Sequence, residues 1–182
     1  MGYDTRFEGN LVLSKPLSEK QQRWFNDWRT ISKSYYDSDK LMEHYKGVGS
    51  LDGDYGENGE FFGYIPNELK TKDSWDMNED EKKDYWNWIS GENELMFRSE
   101  GKGNDYPSNL PSNCCKWKIE GDILSYDDSE RFRGYIEWLE FIRTKILSKW
   151  GITFEDGGEI KWSGESVSDV GSIVYDDNVI DV

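Results

Sequence analysis

Aromatic side chains, together with a complete lack of alanine, constrain this chain more than any other feature. Its 182 residues include nine Trp, eleven Tyr and eight Phe, and no Ala. Each aromatic ring buries roughly 150–250 Å² when it enters a core. This is far more core-forming material than a disordered acidic segment contains. We therefore predict a folded chain with an aromatic core, in which helices are built from Leu, Ile, Lys, Glu and aromatic residues.

The charge of the chain argues against several classes of function. The formal net charge is −15 and the isoelectric point lies near 4.5. Such a chain repels nucleic-acid phosphates unless it has a local basic patch, so direct reading of nucleic acid is disfavoured. No apolar run approaches the roughly 18 residues of a membrane span, and the N-terminus lacks the apolar stretch of a signal peptide. We expect a cytoplasmic protein without a membrane partner.

The acidic residues are concentrated in two blocks. Residues 52–100 carry 14 acids and 5 bases, and residues 155–182 carry 8 acids and one base. The remaining two segments, 1–51 and 101–154, are nearly neutral. Acidic blocks are often only solvated faces, but a purely solubilising surface would distribute its charges more evenly. The block at 52–100 is therefore the best indication of a function.

Capping boxes predict where three helices begin. In this motif a Ser, Asn or Asp side chain and a Glu or Gln three residues later bond each other's backbone N–H groups. Such pairs occur at Ser18 with Gln21, at Asn78 with Glu81 and at Asp127 with Glu130. Apolar residues follow each pair at helical spacing, and we predict that the second and third of these helices end at Gly91 and Gly151.

Alternating apolar residues and turn motifs predict the strands. We place strands at 7–13, 115–119, 123–126, 152–154, 159–162, 171–175 and 178–182, whereas residues 61–65 are either part of the preceding loop or a strand that follows it. Turns at 121–122 and 156–158 predict hairpins between the strands that flank them. The order favours an α+β fold in which two to three helices pack on one face of an antiparallel sheet. We treat residues 1–182 as a single domain in which residues 47–113 form an acidic loop and helix insertion.

Few residues have the chemistry of an active site. His44 is the only histidine, and no nucleophile motif accompanies it. The adjacent Cys114 and Cys115 suit neither an ordinary disulfide nor a zinc site. Asp156 followed by Glu159 and Lys161 has the spacing that metal-dependent nucleases place on a strand. A magnesium-dependent enzyme using Asp156 and Glu159 is thus one alternative, but we expect a protein that is not an enzyme and needs no cofactor.

The glycine-rich segment 47–63 contains four acidic residues that superficially suggest a calcium loop. The match fails because Glu57 stands where the sharp-turn glycine belongs and Gly63 where the bidentate Glu belongs. We interpret the segment as an acidic recognition loop, with the acidic start of the second helix beside it in sequence. The predicted partner-binding residues are Asp52, Asp54, Glu57, Glu60, Trp75, Asp76, Glu79, Asp80 and Glu81.

Aromatic residues interleave with these acids. Helical spacing assigns Tyr85 and Trp86 to the core, whereas Trp75 and Trp88 are freer to lie at a surface. Acidic patches with exposed aromatic rings make good protein-binding surfaces, because the rings supply binding energy and the charges steer association. Regularly spaced carboxylates can also take the place of phosphates in the basic channel of a nucleic-acid enzyme.

Four short motifs carry a resemblance to known proteins. They are Gly2-Tyr3-Asp4-Thr5-Arg6-Phe7-Glu8-Gly9, Cys115-x-Trp117, Glu137-Trp138-Leu139 and Gly158-Glu159-Ile160-x-Trp162-x-Gly164-Glu165. With them the chain resembles a group of small phage and prophage-linked proteins. In size and acidity it is similar to anti-CRISPR inhibitors of the type II effector nuclease. The resemblance covers the first and last 70 residues, and its motifs consist of packing and turn residues.

The resemblance implies a cofactor-free protein that binds the type II CRISPR nuclease and blocks guide loading, DNA recognition or cleavage. That nuclease holds its heteroduplex in a positively charged channel, which an acidic protein can block. A phage structural or assembly protein, in which acidity only maintains solubility, is the other alternative. Weak direct DNA contact is a further possibility, because Arg23, Arg29 and Lys33 are predicted on one helix.

Overall fold

The computed structural model describes residues 4–70, 76–90, 97–102, 105–129 and 131–182. The chain forms two compact units. The first unit comprises Met1–Gln22 and Cys115–Val182, and the second comprises Arg23–Cys114. The single domain with an insertion at 47–113 stays a prediction. No helix in the described ranges is both long and apolar enough to span a membrane.

The fold is α+β, as predicted, and is organised around a six-stranded antiparallel sheet. The strands are β1 (Arg6–Val12), β2 (Trp117–Glu120), β3 (Ile123–Tyr126), β4 (Gly158–Ser163), β5 (Val170–Asp176) and β6 (Val179–Asp181). They lie in the order β2-β3-β1-β4-β5-β6. The helices are α1 (Glu19–Thr30), α2 (Ser38–Tyr45), α3 (Glu79–Ser90) and α4 (Tyr135–Phe141). A 3₁₀ turn occupies Asn67–Leu69.

Strand β1 lies at the centre of the sheet and bridges its two halves. Its first residues pair with β4 and its last two pair with β3. Gly9 lies in the part of β1 that pairs with β4 and has a φ of +105°, and a Cβ at this position would stand 2.5 Å from the carbonyl oxygen of Glu159. Only glycine fits here without shifting backbone.

The core of the first unit is an aromatic cluster around Phe7. Its ring makes edge-on contacts at centroid distances of 4.8 to 5.3 Å with Trp117, Tyr126 and Tyr135. The indole N–H of Trp117 donates to the carbonyl of Tyr135 at 2.8 Å, which ties β2 to the start of α4. Helix α4 continues through a π turn and a 3₁₀ turn to Trp150, where Gly151 ends it with a φ of +63°. The predicted end of this helix is confirmed.

The start of this helix was predicted wrongly. Helix α4 begins at Tyr135 and not after Asp127, whose carboxylate accepts the backbone N–H of Ser129 at 3.0 Å in a local turn. Asp128 and Arg131 have positive φ, which is incompatible with a helix. The other predicted capping residue, Glu130, lies outside the described residues.

The structure decides one open prediction and corrects another. Residues 61–65, predicted as either loop or strand, belong to the loop, where the N–H of Gly63 donates to the carbonyl of Gly49. Residues 152–154 do not form a hairpin with β4. Instead, Phe154 bridges Leu13, and the Asp156 carboxylate accepts the N–H of Asp177 at 3.0 Å. The turn motif at 156–158 predicted that the flanking residues pair with each other, but Phe154 pairs with a residue that is far away in sequence.

The second unit has its own aromatic cluster, which we call the second-unit cluster. It consists of Ile31, Tyr36, Leu41, Tyr55, Phe62, Ile65 and Phe97, with Tyr45, Tyr64, Leu69 and Trp88 packed against it. Helix α2, which the sequence analysis did not predict, contributes Leu41. Asp37 caps this helix by accepting the N–H groups of Asp39 and Lys40 at 3.0 and 3.1 Å.

Replacing Gly9 by Ala should destabilise the first unit by at least ~2 kcal/mol, because it adds both a positive-φ penalty and a backbone clash. The comparison variant is Gly121→Ala, which has a φ of +65° with open space around the Cβ. That variant should cost only ~1 kcal/mol. Urea unfolding followed by circular dichroism measures both, and equal losses would contradict the proposed close approach to β4.

Candidate functional site

The glycine-rich loop, residues 47–63, has a fixed conformation. Gly59 shows this best: it has a φ of +69°, and a Cβ there would overlap the side chain of Tyr36. The hydroxyl of Ser38 on α2 accepts the N–H of Gly59 and donates to the carbonyl of Gly56. The loop is thereby held against α2 and the second-unit cluster.

Glu60 lies inside this loop rather than on its surface. Its side chain is only 7% exposed. One carboxylate oxygen accepts the backbone N–H of Asn58 at 2.7 Å, and the other accepts the side-chain amide of Asn109 at 3.2 Å. Glu60 therefore fixes the loop, and we leave it out of the surface that a partner could contact.

Three of the predicted carboxylates on the loop are exposed: Asp52, Asp54 and Glu57. Asp54 also accepts the N–H of Gly56 at 2.7 Å, so it combines an exposed position with a role in the turn. The structure thus keeps these three acids at the surface of a loop that is held by hydrogen bonds to α2.

The acidic start of α3 provides the second group. Asn78 and Glu81 form the predicted capping box, with N–H to oxygen distances of 2.9 and 3.0 Å. Glu81 is therefore bound to the helix terminus, whereas Asp76, Glu79 and Asp80 are exposed. The Glu79 side chain is 93% exposed, and a long contact of 3.4 Å joins it to Lys82. Exposed pairs of this kind are weak.

The two tryptophans of α3 are placed opposite to the prediction. Trp88 packs against the second-unit cluster, and its indole N–H donates to the carbonyl of Tyr64 at 2.8 Å. Trp86 is 58% exposed, so its assignment to the core is wrong. Helical spacing indicated the aromatic residues of α3, but it could not show which tryptophan is buried. The hydrogen bond to the carbonyl of Tyr64 places Trp88 against the cluster. Trp75 lies outside the described residues.

Both acidic elements are anchored on the same hydrophobic cluster. Tyr55 and Phe62 enter it from the loop, and Trp88 packs on it from α3. Helix α2 joins the same cluster and adds two exposed acids that the sequence analysis missed, Asp39 and Glu43. This cap escaped detection because Lys40 stands where a capping box would have Glu or Gln.

The loop is also fixed to α1 through Asp27. This buried carboxylate accepts the N–H of Ile65 at 3.2 Å and pairs with Lys70 at 2.7 Å. Burial raises the pKa of Asp27 above its ordinary value of 3.8, because desolvation outweighs the attraction of Lys70. The segment that follows the loop is therefore held to α1 by the ion pair between Asp27 and the partly buried Lys70.

The residues of the enzymatic alternative are engaged elsewhere. The carboxylate of Asp156 caps the turn at Asp177, and Glu159 accepts the hydroxyl of Ser172 at 2.7 Å. Across the described ranges no three His, Cys, Asp or Glu side chains are grouped so that they could hold a metal ion. His44 is exposed in the last turn of α2, with its ring 4.7 Å from that of Tyr45.

The predicted basic helix is only partly present. Helix α1 ends at Thr30, so Lys33 does not belong to it, and placing all three basic residues on one helix was wrong. Lys33 is buried, and its ammonium group lies 4.2 Å from the ring of Trp28 and donates to the carbonyls of Trp28 and Ile31. The ammonium group of Lys33 therefore satisfies backbone carbonyls at the end of α1. Of the three basic residues, Arg23 and Arg29 lie on the helix itself.

Comparisons with known proteins do not assign the chain to a family. No protein-family model, curated protein or solved structure matches it.

Replacing Glu60 by Ala should destabilise the second unit by ~1–3 kcal/mol, because it leaves the partly buried N–H of Asn58 without its acceptor. The same change at exposed Glu57 should cost no more than ~0.5 kcal/mol. Urea unfolding of both variants measures the difference. Similar losses in the two variants would show that Glu60 does not hold the loop.

Asp27 should make stability depend on pH in a defined direction. Because its pKa is raised in the folded state, the folded chain holds the proton more tightly than the unfolded chain does. Relative to the Asp27→Asn variant, the wild-type protein should be most stable near pH ~4 and should lose stability as the pH rises through the raised pKa. Unfolding free energies between about pH 4 and about pH 7 test this. A relative stability that increases over this range would mean that Lys70 dominates the environment of Asp27.

Proposed function

We propose that this protein binds a basic, nucleic-acid-binding surface of another protein and blocks it. The contact residues are Asp52, Asp54 and Glu57 on the glycine-rich loop and Asp76, Glu79 and Asp80 at the start of α3. Following the resemblance, the partner is the type II CRISPR effector nuclease, and the result is inhibition of target-DNA binding or cleavage. The protein would act in the cytoplasm of the bacterial host.

One observation carries this proposal: exposed carboxylates lie on two elements that pack on a single buried cluster. A pre-ordered surface loses little conformational entropy on binding, so more of its contact energy appears as affinity. Flexible acidic tails lack this advantage because they must be ordered by the partner.

The chemistry of the partner is complementary. The type II nuclease holds its heteroduplex in a positively charged channel and reads a short DNA motif with arginines. Carboxylates pair with guanidinium groups through two parallel hydrogen bonds, much as phosphates do. A carboxylate surface in that channel therefore competes with DNA directly.

Inhibition by this route requires only binding. The charges at 52–57 attract the partner over about a Debye length, roughly 8 Å at physiological salt, and the acids of α3 add to the same field. Affinity should therefore fall as the salt concentration rises. A purely solubilising acidic face would produce no partner whose binding depends on salt in this way.

The direct test is target-DNA cleavage by a purified type II CRISPR nuclease with and without this protein. The protein is added either before or after guide loading. Inhibition in one order but not the other distinguishes blocked guide loading from blocked DNA recognition or cleavage. Full cleavage at excess protein would rule out the proposed partner.

Charge reversal at α3 should weaken binding without unfolding the helix. We expect the triple variant Asp76→Lys, Glu79→Lys, Asp80→Lys to lose at least ~tenfold in affinity and to show a flatter salt dependence. Glu81 is kept because it caps α3. Binding is measured by titration calorimetry at several salt concentrations.

A matched control separates the local surface from net charge. Glu155, Asp176 and Asp181 are exposed acids of the first unit, and replacing all three by Lys changes the net charge by the same amount. This variant should keep most of the affinity. Equal losses in the two triple variants would show that only the overall charge matters and that α3 is not the contact surface.

A further inference from the structure

A cleft of about 380 Å³ lies on one face of strands β1, β4 and β5, all of which belong to the first unit. Paired residues of an antiparallel sheet project from the same face, so the strand register arranges the side chains of the cleft in two rows. The backbone of Trp162 and Gly171, whose side-chain positions alternate to the opposite face, forms the floor. The first row is Arg6, Ser163 and Val170, and the second is Glu8, Lys161 and Ser172. Serine side chains are short, which leaves a depression among the longer ones.

The cleft contains charges of both signs that the fold does not use. Arg6, Glu8 and Lys161 are exposed, and in the described part of the chain their side chains form no ion pair or hydrogen bond. Glu159, two residues before Lys161 on the same face, is different because it accepts the hydroxyl of Ser172 at 2.7 Å. Two cations and one carboxylate thus line the cleft, and a second carboxylate lies at its border. A ligand that carries both signs of charge is complementary to this arrangement.

We propose that this cleft binds a small zwitterion, a free α-amino acid. This goes beyond the proposed function, which rests on acids of the second unit. The guanidinium group of Arg6 holds the carboxylate of the ligand through two parallel hydrogen bonds, and Lys161 adds its charge from the neighbouring strand. Glu8 accepts hydrogen bonds from the ammonium group. Arg6 and Glu8 are alternate residues of β1, about 7 Å apart along the strand, so their long side chains can bracket one ligand. Val170, which is 62% exposed, offers an apolar contact to the ligand's side chain.

Ligands with a single sign of charge fit the cleft less well. The chain has a net charge of −15, and residues 155–182, which contain β4 and β5, carry eight acids and one base. Anions are therefore repelled on approach, and a nucleic acid is repelled more strongly because it brings several phosphates. A cation meets Arg6 and Lys161 inside the cleft. A zwitterion has no net charge, so it approaches without repulsion and finds a partner for each of its charged groups.

The test screens the full chain against each standard L-amino acid at millimolar concentration, following the backbone amide resonances by NMR. The tightest binder is then compared with two derivatives. Its N-acetyl form keeps the carboxylate but has no ammonium group, and its amide keeps the ammonium group but has no carboxylate. The amino acid should shift the resonances of 159–163 and 170–174 and should bind at least ~tenfold more tightly than either derivative.

Variants assign this binding to the cleft. Arg6→Gln and Glu8→Gln should each weaken it at least ~tenfold, because each removes one charged hydrogen-bond partner. The matched controls are Lys145→Gln and Glu155→Gln, which make the same changes in net charge at exposed positions of the first unit and should bind as the wild type does. Ser163→Val fills the depression with a residue that suits a strand, so it should abolish binding while urea unfolding shows that stability is retained.

Each outcome decides the inference. Binding that needs both charged groups of the ligand and both Arg6 and Glu8 supports it. If no amino acid shifts the resonances around the cleft, the inference is overturned. Equal affinity for the N-acetyl form would make this an anion site, and equal affinity for the amide would make it a cation site; either result overturns it. Equal losses in the controls and the cleft variants would show that only net charge matters and would also overturn it. The proposed function is tested separately by nuclease cleavage and does not depend on these results.

Discussion

Hydrogen bonds from indole N–H groups to loop carbonyls are the interaction on which the rest of this structure depends. Trp24 and Trp28 donate to the carbonyls of Phe61 and Glu60 at 3.1 and 2.8 Å, and Trp88 donates to that of Tyr64 at 2.8 Å. Buried backbone carbonyls outside helices and sheets need such partners. A chain without alanine but rich in tryptophan can therefore build a core beneath an irregular loop, because each indole fills space and also satisfies the backbone.

This arrangement explains how the second unit tolerates a concentration of acids. Carboxylates close together repel one another and oppose compaction. The loop resists this repulsion because Tyr55 and Phe62 are buried beneath it and because Glu60 is used internally. A basic partner would relieve the remaining repulsion, so the same feature that costs stability in the free protein favours binding.

Motifs that are complete within a few residues were predictable from the sequence, whereas contacts between residues far apart in the chain were not. The capping boxes at Ser18 and Asn78 formed as predicted, since each is complete within four residues. The strand at 152–154 was assigned to the wrong partner, because its partner Leu13 lies far away in sequence. The exchange of Trp86 and Trp88 has the same origin: the carbonyl of Tyr64, far from α3 in sequence, selects which indole turns inward.

The candidate site shows the same limit at the level of single carboxylates. Composition identified the acidic loop, but it could not distinguish Glu60, which folds back on the N–H of Asn58, from Glu57, which faces solvent. Buried side chains that hold the loop, such as Glu60, cannot also meet a partner without unfolding their own support. Side chains such as Glu57 and Glu79, which contribute little to folding, can be selected for binding alone. The surface available for recognition is therefore made of acids that stay exposed, and Asp54 shows that such an acid can also hold its own turn.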